Sequence, residues 1–251
     1  MLNPPISRMG GKSKLRKHII EIMPEHKCYV ELFFGAGWVY FGKDKSKVEV
    51  INDIDKELIN LFKMIKYHGP EIERLLEYEF TGRDIFEEYK NYTLEHLTEI
   101  HRAIRFLYLI NNSFASRGNN FGYATSKVPN QKIFLTDYLY KIKERLSNTY
   151  VENLSFEKII EKYDREETLF FADPPYFQTS GYGNEFGEKE HILLRDKLKQ
   201  LKGKFILTIN DHDFIRELYK DFNIEEVKVN YSVSRSLSAR GEYAELIIKN
   251  Y

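Results

Sequence analysis

An acidic residue, two prolines and a tyrosine follow an apolar run about two thirds of the way along the chain. The segment is Asp173-Pro174-Pro175-Tyr176, preceded by the apolar residues 169–172. Such a run predicts a buried strand, and open α/β sheets bind their ligands at the carboxyl ends of strands. Proline fixes φ and has no N–H, so the backbone here cannot continue a sheet ladder, and its carbonyl groups remain available as acceptors. A carboxylate, a free carbonyl and an aromatic ring suit a planar amine.

A second candidate site lies earlier, where Gly35 and Gly37 follow a predicted strand. Glycine lets the chain turn sharply and brings the backbone close to a ligand. Asp53 follows the next predicted strand, and an acid at that place commonly accepts hydrogen bonds from ribose hydroxyls. Asp53 could instead cap the helix that follows. Because neither common phosphate-binding glycine pattern is present in the right setting, we expect a nucleoside ligand without a pyrophosphate.

Length and composition limit the classes of protein to which this chain can belong. The chain has 251 residues, of which 42% are hydrophobic, enough for one α/β domain with an inserted subdomain. No apolar stretch is long enough to span a membrane and the first residues lack signal-peptide features, so we expect a cytoplasmic protein without membrane association. The single cysteine, Cys28, excludes an internal disulfide and a cysteine-based metal cage, and we expect no metal.

Charge is balanced overall, with 38 basic and 38 acidic residues. The basic residues gather in two places, residues 8–17 and the pair Arg235 and Arg240, and acids crowd elsewhere. A zero total is therefore compatible with a basic cleft, although solvated charged faces explain any one cluster equally well.

The hydrophobic pattern divides the chain into three blocks. The first predicts helices at 14–23 and 55–67 and strands at 28–34 and 48–52. The second, 69–147, is mostly helical, with its clearest helix at 94–110 and a polar, glycine-bearing segment at 111–129. The third predicts strands at 150–154, 168–172 and 205–209, helices at 190–201 and 212–219, and an antiparallel pair at 224–231 and 243–249. Residues 1–68 and 148–251 are thus expected to form one domain, and 69–147 an inserted subdomain.

The order of the motifs resembles the Dam-like, D12 class of DNA adenine-N6 methyltransferases. Gly10-Gly11-Lys12 comes first, then residues 33–37, Asp53, the inserted region and finally residues 173–176; residues 235–238 and 245–248 are similar to the closing elements of the family. The resemblance implies a Rossmann-like α/β fold, with a mixed twisted sheet flanked by helices and an inserted, mainly helical target-recognition subdomain. It also implies S-adenosylmethionine as methyl donor and double-stranded DNA as substrate.

The resemblance assigns cofactor contacts residue by residue. Lys12 would lie beside the cofactor, Gly35 and Gly37 would pass under its methionine part, and Asp53 would hold its ribose, with Phe34 and Asp173 also in contact. Arg8 stands where many relatives have an aromatic residue. Its guanidinium could lie flat on a purine, or it could contact a phosphate or solvent.

The same resemblance makes Asp173, Pro174 and Tyr176 the catalytic residues. The exocyclic amine of adenine is a poor nucleophile, and a base inside a duplex is out of reach, so the base must be flipped out. Tyr176 would stack on the extruded ring, while Asp173 and the Pro174 carbonyl would accept the two amine hydrogens. Asp173 then acts as an electrostatic partner more than as a strong base, since charge develops on the nitrogen as the methyl group arrives.

Candidates for DNA contact lie in the polar segment and in the tail. They are Asn112, Arg117, Asn119 and Asn120, interleaved with aromatic residues, and Arg235 and Arg240 for phosphates. The residues of the polar segment also suit a capped helix followed by turns. Near the end of another strand, Asn210 or Asp211 is expected to cap the next helix and His212 to be structural.

Several alternatives remain open from the sequence. The acceptor could be RNA adenine or cytosine N4, although the inserted block and the acid before Pro174 disfavour both. The chain could also be a catalytically silent DNA-binding relative. A cytosine-C5 methyltransferase is disfavoured because Cys28 lies far from Asp173 in sequence. A cognate restriction endonuclease is a possible partner, and no obligate protein partner is evident.

Overall fold

The computed structural model describes residues 1–8, 10–123, 125, 136–178, 186–230 and 242–251. Within those ranges seven strands form a sheet in the order β3-β2-β1-β4-β5-β7-β6. The strands are β1 (Cys28–Glu31), β2 (Val48–Asn52), β3 (Thr149–Glu152), β4 (Thr168–Ala172), β5 (Lys204–Asn210), β6 (Asn223–Asn230) and β7 (Glu242–Lys249). Strand β1 runs parallel to β2 and β4, β4 runs parallel to β5, and β7 is antiparallel to β5 and β6. This mixed sheet confirms the predicted fold class and the closing antiparallel pair.

The helices are α1 (Arg16–Glu21), α2 (Trp38–Gly42), α3 (Lys56–Leu76), α4 (Arg83–Asn91), α5 (Glu99–Asn111), α6 (Thr136–Leu146), α7 (Phe156–Tyr163), α8 (Glu188–Lys199) and α9 (Asp213–Leu218), with short 3₁₀ turns at Leu94–His96 and Phe114–Ser116. The chain divides into two compact units. The first comprises Met1–Ser13, Gly35–Lys43 and Asp53–Asn153, and the second comprises Lys14–Phe34, Asp44–Asn52 and Leu154–Tyr251. The domain division predicted above stays a prediction. None of the helices in the described ranges is long and apolar enough to cross a membrane.

The first unit is built around α3, which packs against α5 and α6. The side chain of Asp55 caps α3 by accepting hydrogen bonds from the backbone N–H groups of Glu57 and Leu58. The predicted helix ended at residue 67, whereas α3 continues past a kink at His68, where φ is −132°. Pro70 accounts for the kink, because a proline inside a helix clashes with the carbonyl four residues earlier.

The second unit holds a hydrophobic core on the faces of its strands. All five residues of β4 are buried, and Val30, Val50, Phe170 and Leu207 belong to one apolar cluster. Continuous burial of this kind is typical of a parallel strand covered on both faces. The apolar run read from the sequence therefore predicted β4 with its observed bounds.

Strand β1 and helix α5 also differ from their predicted bounds. Strand β1 ends at Glu31, although the N–H of Leu32 still donates to the Phe171 carbonyl at 2.9 Å. The helix predicted at 94–110 is a 3₁₀ turn followed by α5, because Thr98 starts a new helix by accepting a hydrogen bond from the His101 N–H at 3.3 Å.

Candidate functional site

In the first unit, the carboxylate of Asp53 holds the glycine turn that follows β1. It accepts hydrogen bonds from the backbone N–H of Gly35 at 2.8 Å and from that of Asp55 at 3.0 Å. Gly35 and Gly37 have φ values of 50° and 76°, a region that glycine adopts without strain. The helix cap is Asp55, so the alternative interpretation of Asp53 as the cap of α3 is wrong.

The surroundings of Asp53 make its carboxylate poorly hydrated. Burial raises the pKa of Asp53, and the backbone hydrogen bonds from Asp55 and Gly35, together with the charge of Arg8, only partly oppose that rise. An ionised carboxylate in such a place gains from any further donor that reaches it. Hydroxyl groups of a ribose are donors of this kind.

Arg8 pairs with Asp55 in the first unit. Its Nη2 lies 2.6 Å from Asp55 Oδ2, and its guanidinium carbon lies 5.6 Å from the centre of the Phe106 ring. The ion pair and the ring hold the guanidinium beside the Asp53–Asp55 segment. Whether it contacts the cofactor, as the resemblance implies, stays a prediction.

The Gly10-Gly11-Lys12 segment turns tightly against the only tryptophan of the chain. Gly10 has a φ of 79°, and a Cβ at Gly11 would stand 2.7 Å from Trp38 Nε1. Lys12 is buried, and its ammonium group donates to the Gly10 carbonyl at 3.0 Å. Trp38 was missed by sequence reasoning, since nothing in the pattern of glycines indicates which ring packs on them.

In the second unit, the carboxyl ends of β1, β4 and β5 lie at one edge of the sheet. Glu31 of β1 pairs with Phe171 of β4, and Ala172 of β4 pairs with Leu207 of β5, both in parallel register. Phe34, which is buried, follows β1 and donates its N–H to the Asn52 carbonyl at 2.8 Å. Asp173 therefore leaves β4 at the edge where ligands bind in α/β sheets.

Two residues of β5 contact the segment that contains Asp173. The hydroxyl of Thr208 donates to Asp173 Oδ1 at 3.1 Å. The side-chain amide of Asn210 accepts from the Phe177 N–H at 2.9 Å and donates to the Phe177 carbonyl at 3.1 Å. Pro174 is buried, whereas Tyr176 is partly exposed. Neither Thr208 nor Asn210 was found by sequence reasoning as a partner of this segment.

The ring of Phe177, which follows Tyr176, packs against a cluster of aromatic rings. It stacks on Phe214 at a centroid distance of 4.6 Å and meets His212 and His191 edge to face. His191 is fully buried, and neither of its ring nitrogens has a hydrogen-bond partner among the described residues. Burial lowers the pKa of His191 to about 4, so the imidazole is neutral at physiological pH.

The cap of α9 differs from the expectation. His212 caps this helix, with Nδ1 accepting from the Phe214 N–H at 3.1 Å, so the expectation that Asn210 or Asp211 caps it is wrong. Asp211 instead binds Arg216 through two contacts of 2.6 and 2.7 Å. The expected structural role of His212 is confirmed.

The candidate DNA-contacting residues of the first unit differ in exposure. Asn112 is buried, its amide nitrogen donates to the Tyr108 carbonyl at 3.0 Å, and its amide oxygen accepts from the Thr81 hydroxyl at 3.3 Å. Arg117, Asn119 and Asn120 are exposed.

These exposed residues lie in a closed loop. The N–H of Phe114 donates to the Asn120 carbonyl at 2.9 Å, and Ser113 bridges Phe121 in antiparallel fashion. Arg235 and Arg240 lie outside the described residues.

Comparison with known proteins identifies the family. A family model described as D12 class N6 adenine-specific DNA methyltransferase matches residues 9–233, which is most of the chain. The protein belongs to this family. Membership confirms the resemblance drawn from the motifs and makes the N6 amine of DNA adenine the methyl acceptor. The rival acceptors, RNA adenine and cytosine N4, are not those of a D12 class methyltransferase.

Individual relatives span nearly the same length as this D12 class chain. The Type II methyltransferase M1.LlaDCHI of Lactococcus lactis subsp. cremoris is 31% identical, over 100% of this chain and 96% of that protein. The Type II methyltransferase M.CviBI of Paramecium bursaria Chlorella virus NC1A is 26% identical, over 100% of both chains. The DNA adenine methylase of Haemophilus influenzae is 30% identical, over 97% of this chain and 92% of that protein.

Proposed function

We propose that this D12 class chain is a catalytically active, S-adenosylmethionine-dependent enzyme that methylates adenine N6 on a base flipped out of a short duplex recognition sequence. The observation that carries the proposal is the placement of Asp173. Its carboxylate stands at the carboxyl end of β4 and is held there by the Thr208 hydroxyl at 3.1 Å. A silent DNA-binding relative has no need of a carboxylate that is fixed at this edge.

The residues of the first unit fit the proposed cofactor chemically. A Cβ added to Gly35 would meet no heavy atom of the described residues within 4 Å, so the turn leaves open space beside its backbone. The poorly hydrated carboxylate of Asp53 suits two ribose hydroxyls. Arg8 supplies positive charge near Asp53, and we propose Lys12, Phe34, Gly37 and Asp173 as further contacts.

S-adenosylmethionine, when bound, supplies an electrophilic methyl group on a sulfonium. The protein has to orient the acceptor and exclude competing geometries. Asp53 would fix the ribose, and the backbone at Gly35 and Gly37 would lie against the methionine part. Positioning of this kind accounts for a large part of the acceleration in two-substrate reactions.

The segment after β4 would bind the target base. Tyr176 would stack on the flipped adenine and offset part of the cost of extrusion, which is a few kcal/mol. Asp173 and the Pro174 carbonyl would accept the two hydrogens of the exocyclic amine, and this directs the nitrogen lone pair at the methyl group. Because positive charge develops on that nitrogen, a fixed carboxylate stabilises the transition state more than the ground state.

DNA recognition is proposed for the inserted subdomain, residues 69–147. Arg117, Asn119 and Asn120 are exposed on a closed loop and have the donors and acceptors that read base edges. Asn112 is buried, so its proposed contribution to DNA binding would come through the shape of that loop. Arg235 and Arg240 remain proposed phosphate contacts. Two relatives are named Type II methyltransferases, which supports a restriction endonuclease as a possible partner. A DNA substrate also fits the predicted cytoplasmic location.

The test is methylation-sensitive single-molecule sequencing of DNA from a methylation-deficient bacterial host that expresses this chain. The Asp173→Ala variant is expressed in parallel. We expect N6-methyladenine at one short sequence in the first culture and none in the second. Unmodified DNA in both cultures, with folded protein present in each, would instead support the silent DNA-binding relative.

A further inference from the structure

The catalytic segment, Asp173–Phe177, lies beyond the end of its strand and contains two prolines. Strand β4 ends at Ala172, so the sheet ladder stops just before the segment. Pro174 and Pro175 have no N–H and cannot donate a backbone hydrogen bond. An acceptor pair that must be fixed to a fraction of an ångström therefore lies on a stretch of chain that needs support from other elements.

Strand β5 contributes such support at both ends of the segment. Thr208 donates to the Asp173 carboxylate, and Asn210 bonds both the N–H and the carbonyl of Phe177. Residues 208 and 210 lie on the same face of the strand, because side chains alternate along a strand. Since β4 pairs with β5 up to Ala172, these two side chains continue the contact between the strands beyond the last backbone pair.

The amide of Asn210 can do this because it has the donor and acceptor of a peptide group. Its oxygen accepts from the N–H of Phe177, and its nitrogen donates to the carbonyl of the same residue. The conformation of the residue after Phe177 also needs support from neighbouring contacts. Gln178 has a φ of 54°, a left-handed conformation that is unfavourable for a residue other than glycine. Conformations of this kind persist only where neighbouring contacts fix them.

We propose that Thr208 and Asn210 are positioning residues for methyl transfer. Thr208 holds the N-terminal end of the catalytic segment, and Asn210 holds its C-terminal end. The inference rests on the proposed function. Neither residue touches the reacting atoms; each acts through the orientation of Asp173, Pro174 and Tyr176. Loss of the hydrogen bonds of either residue therefore slows the chemical step more than it weakens cofactor or DNA binding.

The first experiment replaces Asn210 by Asp and by Ala. Asn210→Asp keeps the shape and the acceptor but loses the donor and places a charge beside the Phe177 carbonyl, whereas Asn210→Ala removes both bonds. Single-turnover methylation is measured with purified protein, saturating S-adenosylmethionine and the duplex that sequencing identifies. A misplacement of about 1 Å in a catalytic group can cost about 100-fold, so we expect rates about 10- to 100-fold below wild type. Dissociation constants for S-adenosylmethionine and DNA should stay within about threefold.

The matched controls are Asn250→Asp and Asn250→Ala. Asn250 makes the same kind of two-bond contact at the opposite end of β5, accepting from the Phe205 N–H at 2.9 Å and donating to the Gly203 carbonyl at 3.1 Å. These variants lose equivalent hydrogen bonds and should lose a similar amount of thermal stability. Their single-turnover rates should stay at the wild-type value, which separates positioning from general loosening of the strand.

The hydrogen bond from Thr208 to Asp173, at the N-terminal end of the segment, is tested with Thr208→Val and Thr208→Ser. Valine keeps the branched shape and burial of this fully buried residue but removes the hydroxyl, while serine restores the hydroxyl without the methyl group. We expect the single-turnover rate to fall in the valine variant and to recover most of its value in the serine variant.

Either of two results would overturn the inference. Rates of the Asn210 variants equal to those of the Asn250 variants would show that the contact with Phe177 is merely structural. Rate losses matched by equal losses of DNA or cofactor affinity would place the residues in binding instead of positioning. If wild-type protein itself transfers no methyl group, the proposed function fails first, and the two failures are thereby told apart.

Discussion

The backbone N–H of Gly35 donates a hydrogen bond to the carboxylate of Asp53 across 2.8 Å. The two residues follow different strands, β1 and β2, and are 18 positions apart in the chain. The bond makes the glycine turn and the acid one structural element, so a change in either residue alters the surroundings of the other. Both were predicted from the sequence as cofactor contacts, and the bond allows their contributions to binding and to stability to be separated.

Gly35→Ala should weaken cofactor binding more than it destabilises the fold. The added Cβ meets nothing within 4 Å, so its structural cost is the left-handed backbone alone, about 1–2 kcal/mol. In the bound state the same methyl group would occupy the space proposed for the methionine part, and we expect S-adenosylmethionine affinity to fall at least about tenfold, measured by titration calorimetry.

Gly118→Ala is the control for that backbone cost. Gly118 has a φ of 74°, and a Cβ there would lie 3.6 Å from Ile110 Cδ1, an ordinary contact. The two variants should lose similar stability in thermal unfolding, while Gly118→Ala retains cofactor affinity. Equal affinity in both variants would show that the Gly35 turn does not contact the cofactor.

Asp53→Asn should reduce cofactor affinity with little change in stability at neutral pH. Burial raises the folded-state pKa of Asp53, so ionising it in the folded protein costs stability as the pH rises from its ordinary value through the raised pKa. Asparagine removes that cost but also loses one of the two backbone hydrogen bonds, about 1 kcal/mol, and the effects oppose each other. Loss of charged hydrogen bonds to the ribose should weaken binding about 10- to 100-fold.

Asp55→Ala should show the reverse pattern. It removes the cap of α3 and the ion pair with Arg8, and we expect about 1–2 kcal/mol of lost stability. The ratio of affinity loss to stability loss, from calorimetry and thermal unfolding, should therefore be much larger for Asp53→Asn. Similar ratios would contradict the ribose-binding role.

The parts of the fold that the sequence predicted well include strands that are buried along most or all of their length. Strands β2 and β4 were predicted with their observed bounds, and for β4 the reason is that a strand buried on both faces needs a nearly continuous apolar run. The order of the motifs was sufficient to predict the family, since strand ends at one sheet edge carry the chemistry.

The parts that the sequence did not predict depend on a choice among close neighbours or on distant contacts. Asp53 and Asp55 are both good helix caps, as are Asn210 and Asp211, and only the path of the backbone decides which side chain reaches the free N–H groups. His212 occupies the N-cap position of α9, and Asp211, one residue earlier, pairs with Arg216 instead. Trp38 against Gly11 and Asn210 against Phe177 are tertiary contacts without a local pattern.

The candidate DNA-contacting residues should separate into two classes when they are replaced by alanine. Asn112→Ala removes a buried amide together with its hydrogen bonds to Tyr108 and Thr81, so we expect a stability loss of about 1–3 kcal/mol. Arg117→Ala changes an exposed side chain and should leave the unfolding temperature nearly unchanged.

DNA binding by Arg117→Ala should fall more for the target duplex than for a non-target duplex, because this side chain is proposed to read base edges. Each phosphate contact contributes about one unit to the slope of log affinity against log salt, and a base contact contributes sequence preference instead. Fluorescence anisotropy with target and non-target duplexes over a range of salt distinguishes the two. An unchanged affinity for both duplexes at every salt concentration would remove Arg117 from the DNA-binding surface.

His191 should make the folded protein sensitive to acid. Its pKa is lowered by burial from 6.5 to about 4, so in that interval the unfolded chain binds a proton that the folded protein does not. Stability therefore falls as the pH drops from 6.5 towards 4, by about 3 kcal/mol in total. His191→Leu should flatten this slope in denaturant unfolding. It should also raise stability at pH 7, because it removes two buried ring nitrogens that have no partner among the described residues.

His191→Gln separates the two effects in the same measurement. Glutamine does not titrate, so the slope between pH 6.5 and 4 should flatten as in the leucine variant. It still buries polar atoms beside Phe177 and Phe186, so the gain at pH 7 should be absent. If either variant keeps the wild-type slope, the acid sensitivity arises from groups other than His191.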